Sequence, residues 1–119
     1  MVPFYNGIPQ FDLMLLGLGD DGHTASIFPD RIDLFATGHL FEVAVKPDTR
    51  QKRITATGKI INNSSKIYYI VTGKGKASIV SEIIEGKRGS ELYPASRVMP
   101  ASGHLVWMLD VPAASLLRV

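Results

Sequence analysis

Three short apolar runs punctuate the chain, and each one is closed by a polar turn. The first lies in Phe11 to Leu18 (FDLMLLGL), apolar from Leu13 on except for Gly17, and stops at Gly19-Asp-Asp-Gly22. The second, Lys66 to Val71 (KIYYIV), stops at Thr72-Gly-Lys-Gly75, and the third, Leu105 to Leu109 (LVWML), stops at Asp110. Continuous apolar runs of this length predict strands of a buried parallel sheet. Leu40 to Val45 (LFEVAV) and Arg53 to Thr57 (RITAT) predict two further strands, separated by the turn residues Lys46-Pro-Asp-Thr49. Between Lys76 and Glu85 the apolar residues Ala77, Ile79, Val80, Ile83 and Ile84 recur with a helical period. Shorter helices are predicted at Thr24 to Phe28, stopped by Pro29, at Lys59 to Ser64, and at Ala113 to Leu117. Met1 to Gln10 and Leu92 to Pro100 read as proline-punctuated irregular segments, and Asp30 to Gly38 as loop with one helical turn. Strands alternating with helices predict an α/β fold, a mostly parallel sheet with helices on its faces.

Composition narrows the function classes. The chain has 119 residues, 45% hydrophobic and 20% charged, which suits one globular domain. A net charge of +2, with its basic residues scattered, gives no nucleic-acid footprint. No apolar run approaches the ~18 residues of a membrane span. No basic segment precedes an apolar one as in a secretion signal. The chain has no cysteine, so disulfides, thiolate nucleophiles and cysteine zinc sites are excluded. The expected location is the cytoplasm.

The turn after the first run carries the main candidate chemistry. Ligands of open α/β sheets bind beyond the carboxyl ends of the strands. Gly19, Asp20, Asp21 and Gly22 deliver His23 to that position, just ahead of Thr24, Ala25 and Ser26. At a helix start the imidazole would lie near backbone N–H groups and stay neutral, able to accept a proton. Asp20 or Asp21 could fix its tautomer, as carboxylates do for catalytic histidines. The plainer reading is a helix cap and turn with an incidental histidine. His39 and His104 are too distant in sequence to suggest a metal motif. Val71-Thr-Gly-Lys-Gly-Lys-Ala77 lacks Walker spacing, yet Lys76 at a helix start after a glycine turn suits a phosphate ester. A solvated basic turn is the alternative. Arg53 is either a surface residue or a bidentate phosphate grip. Asn62, Asn63, Trp107 and Asp110 have adequate structural uses as helix end, core and cap.

The string LLGLGDDGHTASIFP resembles the signature of the 6-phosphogluconolactonase family, G-x-G-x-D-G-H-T-A-S-L-F-P, with Ile27 in place of the usual leucine. RITAT, Ile60-Ile-Asn62, YYIVTGKGKA, YPASRVMP and WMLDVPAA resemble later family segments in order and spacing. The resemblance implies a three-layer αβα, Rossmann-like fold and a cytosolic hydrolase of the oxidative pentose phosphate pathway. Such an enzyme opens 6-phospho-D-glucono-1,5-lactone without metal or organic cofactor. It implies His23 as general base with Asp21 beside it, and Arg53 and Lys76 near the substrate phosphate; the turn residues Gly19, Asp20 and Gly22 are expected at the substrate because glycines let the backbone approach a ligand closely. Family chains run to about twice this length, and their amino-terminal G-G-[ST] loop and D-E-R segment have no counterpart here. The chain is therefore expected to be the carboxyl-terminal part of the family fold. Its half-sheet should expose a strand edge and an apolar face, open to self-association or to the missing half.

Two other readings are carried forward. A glucosamine-6-phosphate deaminase-like isomerase also has a D-G-H turn, but usually continues I-A-F-N-E-P where this chain has Thr-Ala-Ser-Ile-Phe-Pro29. A non-catalytic sugar-phosphate-binding or assembly module would fit a half-length chain.

Overall fold

The computed structural model describes residues 2–118. Three parallel strands form its centre in the order β3-β6-β7, namely β3 (Leu13–Leu16), β6 (Lys66–Val71) and β7 (Leu105–Leu109). The last two match the apolar runs residue for residue. A second unit is an antiparallel hairpin of β4 (Phe41–Val45) and β5 (Lys52–Ala56). The helices are α1 (Gly58–Ile61) and α2 (Ala77–Ile84), the latter led in by a 3-10 turn at Lys74–Lys76.

The central sheet has two unlike faces. Ile67, Tyr69 and Val71 alternate along β6 into a core that also holds Leu16, Ile61, Ile79, Val80, Ala95 and Val98. Val80 and Ile67 are fully enclosed, and burial of such a side chain contributes about 1.5–3 kcal/mol. Tyr69 stacks on Trp107 at 4.2 Å, and its hydroxyl donates to the carbonyl of Ala95 at 3.2 Å. On the opposite face, register aligns Leu15 with Tyr68 and Tyr68 with Val106, and Ile70 with Met108. Leu15 is 57% exposed, Ile70 50% and Met108 51%. Burial on both faces, expected from the continuous apolar runs, is therefore realised on one face. The chain supplies one helical layer and leaves the other side of the sheet bare.

Three local expectations change. Residues Thr24 to Phe28 are not helical. Thr24 and Ile27 form an isolated bridge, and Ala25 takes a φ of +52°. Polar bonds to other segments hold this shape. The Thr24 hydroxyl donates to the carbonyl of Gly17 at 2.9 Å, and the Ser26 amide donates to the Thr55 hydroxyl at 3.0 Å. Ala113 to Leu117 makes turns rather than a helix, since so short a segment cannot offset nucleation. Asp110 caps it by accepting from the Ala113 amide at 2.9 Å, and also accepts from Gly73 at 3.1 Å. The irregular lead-in, apart from Met1, which lies outside the described residues, forms a small hairpin of β1 (Phe4–Tyr5) and β2 (Ile8–Pro9). Asn6 and Gly7 supply the two positive φ angles, 54° and 76°, that a tight two-residue turn requires. The Asn63 amide secures this hairpin, lying 3.0 Å from the Ile8 carbonyl.

Candidate functional site

β3 ends at Leu16, and the chain then folds back on itself within seven residues. The Gly19 amide donates to the His23 carbonyl at 2.9 Å, and the Gly22 amide to the Gly19 carbonyl at 3.0 Å. Gly22 sits at φ +85°, and a Cβ there would come within 2.5 Å of the Tyr93 ring. The Ala95 amide donates to the Gly22 carbonyl at 2.9 Å, so the segment from Tyr93 to Ala95 braces the loop. Tyr93 is itself held by Glu82 on α2, to which its hydroxyl donates at 2.5 Å.

His23 emerges from this loop with its ring fixed on two sides. Its Nδ1 lies 2.6 Å from Asp21 Oδ1, and the same carboxylate oxygen accepts from the His23 amide at 3.0 Å. Phe28 packs against the ring at 4.7 Å between centroids. Partial burial works to raise the Asp21 pKa, but the bonds from the His23 amide and ring outweigh it and hold the carboxyl below its usual range. An ionised Asp21 assigns the neutral imidazole its proton at Nδ1 and leaves the Nε2 lone pair as acceptor. This is the geometry of a histidine base oriented by a carboxylate. It is reached without a helix start, since the expected helix at Thr24 is absent.

The imidazole is 30% exposed and borders two cavities. One, of about 390 Å³, is lined by Asp20, Asp21, His23, Phe28, Lys46, Pro47 and Asp48. The other, of about 400 Å³, is lined by Gly17, Leu18, Gly19, His23, Thr24, Ala25 and Lys76. Lys76 thus reaches the site from the start of α2. Its ammonium donates to the Leu18 carbonyl at 2.7 Å and meets Asp20 Oδ1 at 2.8 Å. The two aspartates, interchangeable in the sequence, are divided between partners: Asp21 serves His23 and Asp20 serves Lys76. Gly22 lines neither cavity and acts on the loop through its contact with Tyr93. Arg53 also lines neither; its Nε donates to Gln51 Oε1 at 3.0 Å. Among the described residues no group of three His, Asp or Glu side chains is placed to hold a metal ion.

Sequence reasoning missed Lys46, Pro47 and Asp48. They form the turn between β4 and β5, which the composition marks only as a turn. Their approach to His23 follows from docking the hairpin on the 24–28 segment, with the Ser26–Thr55 bond as one fastening. Phe28 was legible as part of the motif, but its contact with the imidazole was not.

Residues 1–107 match the family described as glucosamine-6-phosphate isomerases/6-phosphogluconolactonase. The chain belongs to this family. It is similar to a 6-phosphogluconolactonase of Bos taurus, 41% identical over 115 residues that cover 96% of this chain and 44% of the relative. Among solved structures, the devB protein superposes with a TM-score of 0.90 at 41% identity, covering 98% of this chain and 49% of that one. A 6-phosphogluconolactonase from Trypanosoma cruzi gives 0.81 at 29% identity, covering 99% and 46%. The chain spans about half the length of the curated relatives it matches. The parallel α/β sheet is that of the glucosamine-6-phosphate isomerase/6-phosphogluconolactonase family, and the bare face belongs to a chain half as long. No helix among the described residues is long and apolar enough to cross a membrane.

Proposed function

We propose that residues 1–119 form one α/β unit carrying the general base of a 6-phosphogluconolactonase, which hydrolyses 6-phospho-D-glucono-1,5-lactone to 6-phosphogluconate. The observation that carries this reading is the imidazole of His23, paired with Asp21 and open to two cavities. In the proposed reaction His23 Nε2 takes a proton from water as the water oxygen bonds to C1 of the lactone. The tetrahedral intermediate then collapses, the bond from C1 to the ring oxygen breaks, and the imidazolium returns its proton to that oxygen. Asp21 stabilises the imidazolium between the two steps. Lys76, beside the second cavity, supplies a cation for the phosphate, far from the reacting carbon, where binding orients the ester. Gly19 and Asp20, which line these cavities, complete the proposed substrate contacts; Gly22 shapes their loop, and Arg53, bonded to Gln51 outside both cavities, would have to leave that partner to reach the phosphate. The reading places the reaction in the oxidative pentose phosphate pathway and in the cytoplasm. The continuation Thr24-Ala-Ser-Ile-Phe-Pro29 favours it over a deaminase-like isomerase.

The deciding experiment follows acid release from the lactone above its spontaneous rate. The chain is expected to accelerate opening, and His23→Ala to lose about 10²–10⁴-fold of that acceleration. Equal rates for the two proteins would remove His23 from the mechanism. A second reading, sugar-phosphate binding without turnover, is favoured by the bare sheet face, which self-association or the half of the family fold beyond this chain would cover. Saturable binding of 6-phosphogluconate with no acceleration would support it.

A further inference from the structure

The lactonase reading leaves one charge without a partner. As water adds to the lactone, the carbonyl oxygen becomes an oxyanion that needs donors or a cation. The glycine amides of the loop do not serve, because Gly19 and Gly22 spend theirs on the carbonyls of His23 and Gly19. Lys76 lies in the second cavity, where the lactonase reading gives it the phosphate.

The first cavity offers a different group. Lys46 is the one lysine or arginine among its lining residues. Three carboxylates line the same space, and each has a cationic or imidazole partner: Asp20 has Lys76 at 2.8 Å, Asp21 has His23 at 2.6 Å, and Asp48 has Lys46 at 3.3 Å. The last contact is the longest of the three. Asp48 also spends an oxygen on the Thr49 amide at 2.7 Å. The Lys46 ammonium is therefore the cation most easily drawn to an incoming anion. Its backbone is held firmly: the Lys46 amide donates to the Gln51 carbonyl at 2.9 Å, and its carbonyl accepts from Arg50 at 2.8 Å. The hairpin thus presents a flexible ammonium on an anchored turn, in a cavity that His23 also lines.

We propose that Lys46 binds the oxygen on C1, stabilising the oxyanion during lactone opening and the carboxylate of the product. This inference rests on the lactonase reading and extends it to a division of labour. His23 moves the proton, Lys76 meets the phosphate in one cavity, and Lys46 meets the C1 oxygen in the other.

The test is calorimetric binding of two probes to the 119-residue chain. 6-Phosphogluconate carries a carboxylate at C1, and 6-phosphoglucitol carries a neutral alcohol there; the rest of the two molecules is the same. Wild type is expected to bind 6-phosphogluconate about tenfold more tightly, the size of one charge-assisted hydrogen bond. Lys46→Met should bind both alike, with its 6-phosphoglucitol affinity unchanged, which also shows that the variant is folded. Lys46→Arg should keep most of the preference. Should Lys46→Met melt early, Lys46→Gln takes its place with the same expectation. A Lys46 variant that retains the wild-type preference overturns the assignment, as does one that is folded yet loses both probes equally. Failure of wild type to bind either probe overturns the lactonase reading itself, and the role of Lys46 with it.

Discussion

A Cβ at position 19 would overlap Nδ1 and Cε1 of the His23 ring. The imidazole occupies space that the missing side chain of Gly19 leaves open. Gly19 has no positive φ, so alanine there disturbs the ring rather than the backbone. Gly19→Ala is therefore expected to cost nearly as much lactone-opening rate as His23→Ala, with only a small change in melting temperature. Gly22→Ala should behave differently. Its positive φ and its contact with Tyr93 make it a stability mutation, costing about 1–3 kcal/mol in denaturant unfolding. A rate loss in Gly19→Ala no larger than in a surface variant such as Lys52→Ala would show that the ring has room to adjust. At this scale the sequence was a good guide to identity and a poor one to pairing. His23 was legible from its motif. The assignment of Asp20 to Lys76 was not, because the two lie far apart in the chain and only the sheet brings them together.

β6 ties the sheet to the site. Its central Tyr69 is enclosed beneath the Thr24 segment and bonded to Ala95, the residue whose amide also braces Gly22. Burial pushes the Tyr69 phenol above its ordinary value, against a smaller opposing effect from Thr24. In the unfolded chain the phenol titrates near pH 10. A group whose folded pKa lies above its unfolded one stabilises the fold at lower pH and loses that contribution as pH rises past the unfolded value. Thermal melts are thus expected to fall above about pH 10 more steeply for wild type than for Tyr69→Phe. Parallel slopes would show that the hydroxyl is not enclosed in solution. Tyr93, raised by its bond to Glu82, should leave a residual slope in the variant. The strands Lys66–Val71 and Leu105–Leu109 were readable because unbroken apolar runs between polar turns admit few other readings. Thr24 to Phe28 was misread because its side-chain and backbone bonds to Gly17 and Thr55 are tertiary, and no local pattern encodes them. Ala113 to Leu117 has helix-forming residues but too few of them.

Taken whole, the molecule pairs a braced site with an open sheet. The rows Leu15–Tyr68–Val106 and Ile70–Met108 form a contiguous apolar surface that a parallel sheet ordinarily keeps covered. Replacing Leu15, Ile70 and Met108 together with lysine should lower self-association in sedimentation and reduce the fluorescence of a hydrophobic dye several-fold. The melting temperature should change little, since each side chain is at least half exposed. An unchanged sedimentation profile would mean that the face stays bare in solution. The bracing of the His23 loop has a separate consequence. Every contact described as aiming the imidazole or bracing its loop comes from within this chain: Asp21, Phe28, Tyr93 and Ala95. A polypeptide arriving on the far side of the sheet would meet a base already set in position, so reconstitution from two separate pieces would not have to rebuild the proton-transfer apparatus.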